Sequence, residues 1–132
     1  MFKTLTTLLV AAMAAILTIT VQPALAADSV ASGSFTGASD HITTGGVEVI
    51  KNADGSHTIV LADDFSLDGA PDPRVGLGKD GNYNGNTDSG LLGALTGAQS
   101  FVVPAGIDVS DFNEVYIWCE KFSVPLGVAT LN

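Results

Sequence analysis

The strongest constraint in this chain is a series of short alternating apolar runs, cut roughly every ten residues by clusters of Gly, Asp, Asn and Pro. "GGVEVIK" sets Val47 and Val49 on one face and Glu48 on the other. "SHTIVLADDF" sets Ile59 and Leu61 against Thr58 and Val60, and the intervening "NADG" has hairpin-turn chemistry. An antiparallel hairpin over about 45–61 is predicted. Further strands are predicted in "GSFTG" near Phe35, in "RVGLG" at Val75 and Leu77, in "AQSFVVPAG" at Phe101 and Val103, and in "EVYIWCE" and "VPLGVATL". "GIDVSDFN" reads as one short helical turn capped by Ser110 or Asp111. No stretch keeps a helical apolar period; "SGLLGALTGAQ" comes nearest, but three glycines in eleven residues oppose a helix. The expectation is an all-β domain, a sandwich or a barrel.

The first 26 residues stand apart. One base, Lys3, precedes an apolar run from about Leu5 to Val21, then Pro23 and the small-residue site Ala24-Leu25-Ala26. This is the layout of a cleavable export signal cut after Ala26, which implies a secreted or periplasmic product. The alternative is a retained membrane anchor, against which the Ala-x-Ala site speaks. Residues 27–132 then form one domain, long enough to bury a core without staples. Loss of Lys3 leaves four Lys or Arg against 14 Asp or Glu, a net charge of about −10. Such a surface repels nucleic acid and anionic membrane, so neither is an expected partner, and stable membrane insertion is not expected after cleavage.

The chain has one cysteine, Cys119, beside its one tryptophan, Trp118. An odd thiol in an oxidising compartment is buried and inert, joined to another chain, or used in chemistry. Val115, Ile117 and Cys119 share one strand face; Tyr116, Trp118 and Glu120 share the other. From Phe122 on, the large apolar residues fall on even positions, so a bulge or tight turn is expected at Glu120-Lys121. A reactive thiol needs exposure and nearby positive charge. Lys121 supplies charge only if turned inward, while Glu120 and the acidic surface oppose ionisation.

A ligated metal or haem would want a second donor. His41 in a turn and His57 at a strand head are the candidates. Two His and one Cys are the bare inventory of a copper site, but both histidines lie far upstream of Cys119. In "DGNYNGNTDSGL", Asp80, Asn82, Asn84, Gly85, Asn86 and Asp88 fit the start of a calcium-loop pattern. Leu91 takes the place of the bidentate glutamate, and ordinary turns share this composition, so any calcium site is expected to be weak. Asp63 and Asp64 beside Phe65 read as turn carboxylates. No Ser-His-Asp order, phosphate loop or zinc signature occurs, which disfavours a stand-alone enzyme.

Four blocks occur in an informative order: "GSFTGASDHITTGGVEVI", "HTIVLADDFSLDGAPDPRVGLG", "GALTGAQSFVVPAG" and "FNEVYIWCEKFSVPLGVATL". They resemble the DM-thirteen family, the electron-transfer DM domain that accompanies DOMON domains. The likeness runs from about Gly33 to Leu131. The apolar strand ending in Trp-Cys and followed by Lys-Phe carries most of it. Pro73 and Gly76 depart from the family pattern, which commonly has an aliphatic and an aromatic residue there. The resemblance implies a single antiparallel β-sandwich, DOMON-like or immunoglobulin-like, of about seven to nine short strands. It also implies a redox role centred on Cys119, as a bare thiol or as the ligand of a group such as haem. Trp118, Phe122 and His41 would then shape or complete the site, with an unidentified redox or surface protein as partner. The competing expectation is a non-catalytic interaction module whose cysteine only packs.

Overall fold

The computed structural model describes residues 15–16 and 28–132. The expected signal run and its cut after Ala26 lie outside the described residues. Eleven strands follow: β1 Asp28–Gly37, β2 Thr43–Thr44, β3 Gly46–Lys51, β4 His57–Leu61, β5 Ser66–Leu67, β6 Pro73–Lys79, β7 Asn82–Asn84, β8 Gly90–Leu91, β9 Gln99–Val102, β10 Glu114–Cys119 and β11 Val124–Thr130. The domain is all-β. Among the described residues no helix is long and apolar enough to cross a membrane.

The β3–β4 hairpin forms where alternation placed it, with Lys51 opposite His57 and Val49 opposite Ile59. Its loop closes on Asn52, whose N–H donates to the Ser56 carbonyl (2.8 Å), with Gly55 at φ +88°. Val47, Val49, Ile59 and Leu61 are buried and Glu48 is exposed, as period-two patterning requires.

Pairing departs from two separate layers. Nine strands form one hydrogen-bonded sheet, eight on the path β7-β6-β10-β11-β1-β3-β4-β9 and β8 off it on β6; β2 and β5 form a small pair apart. The path is a curled antiparallel sheet, a half-barrel. The curl is located in β1. Its residues from Asp28 to Ser34 register with β3, whereas Phe35 to Gly37 register with β11. Strands from both arms therefore face one core, where Val49, Ile59 and Leu61 meet Val75, Leu77, Val115, Ile117 and Leu126.

A β-bulge in β11 is a second irregularity. Ile117 opposes Gly127 but Trp118 opposes Pro125, which leaves Leu126 as the extra residue. The bulge frees the Leu126 carbonyl from the ladder. That carbonyl accepts from the Thr43 hydroxyl (2.8 Å) and the Ala38 N–H (3.0 Å), so the freed acceptor is satisfied twice. The expected short helical turn exists at Val109–Asp111, but Asp108 caps it: its carboxylate accepts from the Ser110 N–H and hydroxyl (3.0 and 2.6 Å). Asp precedes the turn by one position and reaches both donors, a geometry that neither Ser110 nor Asp111 can adopt from within it.

Candidate functional site

Cys119 ends β10, opposite Pro73 of β6 and Val124 of β11. Alternation from Val115 and Ile117 points it inward, and it is 1% exposed within the hydrocarbon core. The chain then reverses through Glu120–Ser123, with Ser123 at φ +52°, which is the tight turn the parity change required. Two residues expected near the sulfur are elsewhere. Phe122 sits on that turn and is 62% exposed. It belongs to the turn, not to β11, so the even-numbered apolar row does not begin with it. Lys121 is also exposed, and its Nζ lies 5.6 Å from the centre of the Phe122 ring rather than turning inward.

His41 is in the segment between β1 and β2. Its Nδ1 is 2.8 Å from Asp68 Oδ1, and the Ile42 N–H donates to Asp68 Oδ2 (3.0 Å). The Ile42 bond and then His41 hold the Asp68 carboxyl below the usual range. This pair ties two loops together. A haem held by Cys119 does not fit: the sulfur is sealed among apolar side chains, and His41 already has a carboxylate partner. Among the described residues no three His, Cys, Asp or Glu side chains cluster as a metal site.

The calcium-loop residues form a hairpin. Asp80 and Gly81, at φ +51° and +86°, are the two central residues of the tight turn joining β6 to β7. Asn82–Asn84 is an extended strand paired with β6, so it cannot wind around an ion. The donors serve separate tasks. Asp80 Oδ1 accepts from Asn113 Nδ2 (2.8 Å), and Asn84 Oδ1 accepts from the Asn86 N–H (2.9 Å). Asp88 accepts from the Gly90 N–H (3.0 Å) and faces Arg74. The Asn-Gly and Asp-Gly pairs that matched a metal loop are turn chemistry here.

The outer face of β10 holds an arrangement that the sequence reading did not find. Trp118, half-buried, stacks on Tyr83 of β7 with ring centres 4.5 Å apart and planes at 17°. Tyr116 closes the group edge-on, 6.4 Å from Trp118 and 5.6 Å from Tyr83. Tyr83 reaches across β6 because the intervening residue on that face is glycine. A Cβ at Gly76 would stand 2.8 Å from the Tyr83 ring, and one at Gly78 2.3 Å from the Tyr116 ring. The available signal was Gly76 and Gly78 alternating on one face of a strand, with a tyrosine in the next. Thr87, 0% exposed, secures β7. Its Oγ1 accepts from the Leu77 N–H (2.7 Å) and donates to the Asn84 carbonyl (2.6 Å).

Tyr83 Oη is buried and has no hydrogen-bond partner among the described residues. Burial, then the charges of Asp88 and Glu120, push its phenol up to about 12, with Arg74 opposing. Arg74 is itself engaged by Asp72 (2.8 Å) and Asp88 (3.6 Å). The surroundings of the stack are therefore net anionic.

Two cavities, of about 420 and 540 Å³, lie at the opposite end of β10 from Cys119. Lys51, His57, Val109 and Phe112 are among those lining the first, and Lys79, Asn84 and Asp111 among those lining the second. Neither includes the sulfur. Comparison with known proteins finds one family model, described as Electron transfer DM13, matching residues 34–131. No curated protein and no solved structure matches.

Proposed function

The chain belongs to the electron-transfer DM13 family, and from that premise we propose that its β domain is an exported redox-linked module exchanging electrons with a second protein. The family match carries this reading, because it spans nearly the whole described domain. The signal-like first 26 residues support export. In the same reading, the two arms of the curled sheet serve as the layers of a DOMON-type sandwich, hinged at β1.

Cys119 is then a masked thiol. It is the last residue of β10, so lifting the Glu120–Ser123 turn and one rung of pairing would uncover it while the rest of the ladder stays closed. The second reading is an interaction module with a structural cysteine. One observation favours it: 1% exposure in a hydrocarbon environment.

Thiol labelling of the folded protein across a urea series separates the two. Masked-thiol opening gives labelling with a shallow urea dependence, far below the slope of global unfolding. Labelling that follows the global slope throughout removes the thiol from the redox reading and leaves the structural cysteine.

A further inference from the structure

We infer that Trp118, stacked on Tyr83 over the bare glycine floor of β6, is a one-electron relay on the outer sheet face. This rests on the redox reading above, but it uses none of the cysteine chemistry.

Three observations converge. The rings are in van der Waals contact over a large area, at 4.5 Å and 17°, so a hole on the indole is shared with the ring beneath it. Gly76 and Gly78 leave that face of β6 bare beyond Arg74, which stands opposite Trp118, and a Cβ at either glycine would collide with the aromatic group. Close-packed interiors rarely keep such space unless something lies across it, and here it is the Tyr83 ring. The charged groups that act on the two phenols are Asp88, Glu120 and Glu114 against Arg74, which Asp72 and Asp88 already pair, a field that favours positive charge on the rings.

The arrangement also selects which ring carries the hole. A phenol loses an electron readily at neutral pH only as its proton leaves; Tyr83 Oη has no acceptor among the described residues, and Tyr116 Oη has only Glu114 Oε1 at 3.4 Å, longer than an effective O–H···O bond. Tyr83 keeps its proton and acts as a stacking partner. Trp118, half-buried, keeps part of its surface open to an approaching partner.

A partner's metal centre in its higher oxidation state takes one electron from the Trp118 π system and is reduced by one. Trp118 becomes a radical cation, which yields its indole N–H proton to water to give the neutral radical. A one-electron reductant returns the electron and water returns the proton, and no bond between heavy atoms forms or breaks.

The test is flash-quench oxidation of the full chain by a photogenerated ruthenium(III) polypyridyl, read by transient absorption. An indole radical without tyrosyl signal is expected. Trp118→Phe should abolish it, and Tyr83→Phe should leave yield and lifetime unchanged. Tyr83→Leu should shorten the lifetime by about two- to tenfold, the ratio matching the loss of one aromatic pair. A signal that survives Trp118→Phe, a tyrosyl radical in the unsubstituted chain, or a Tyr83→Leu lifetime equal to that of the unsubstituted chain would overturn the relay. Thiol labelling is independent of the indole, so the relay can fail while the masked thiol stands, and the reverse.

Discussion

Replacing Cys119 by serine and by alanine weighs the sulfur's surroundings directly. The side chain is 1% exposed, between Pro73 and Val124 on neighbouring strands and beside Ile117 on its own face. Alanine removes the sulfur and leaves a small void, at a cost of about 1 kcal/mol. Serine nearly preserves shape but buries a hydroxyl with no partner, a cost of about 1–3 kcal/mol for the lost water hydrogen bonds. The stability order should be cysteine, then alanine, then serine, with serine below alanine by about 1 kcal/mol although it is the closer isostere. Urea unfolding followed by circular dichroism reads this as a change in midpoint at constant slope. The corresponding melting shift is about 4–8 °C per kcal/mol for a domain of this size. Serine as stable as cysteine, or more stable than alanine, would refute the reasoning, because it would mean that a polar group or water reaches this position.

Thr87→Val keeps the side-chain volume but strands the Leu77 N–H that now donates to Oγ1. A loss of about 1–3 kcal/mol is expected, largely recovered by Thr87→Ser, with red-shifted Trp118 emission as β7 loosens. Alkali acts through the two phenols, both raised by burial, Tyr83 to about 12. The stability they contribute is whole below their unfolded value of ~10. It is lost as pH rises through the folded values, because the unfolded chain releases protons that the folded one keeps. Phenolate absorbance and urea midpoints over that window check this, and two phenols titrating at their ordinary value would contradict it.

The β3–β4 hairpin was legible because three signals agreed: alternation at Val47, Val49, Ile59 and Leu61, the Asn-Ala-Asp-Gly turn, and length. β1 was legible only around Phe35. Its other residues are mostly small or polar and carry no apolar rhythm; pairing with β3 holds them extended. Pairing order is a long-range property, so nothing local distinguished a sandwich from one curled path. At the site, parity placed Cys119 inward and Trp118 outward, and both positions follow from alternation alone. Phe122 was misplaced because an apolar residue on a turn resembles one on a strand. The five metal-loop residues were ambiguous in sequence because Asp-Gly and Asn-Gly suit a hairpin as well as an ion. Tyr83 escaped notice because its partner is two strands away, across β6.

β1 is made first and β11 last, yet they register side by side, Phe35 against Ala129. Any pause between their arrivals holds the earliest strand with one edge unclaimed, a template for pairing with a foreign chain. Maturation is thus gated by the carboxyl-terminal ribbon, whose docking welds the two arms together. A version clipped before Val124 would release β10 on one side and β1 on the other, giving two half-shells and exposing the sulfur between them.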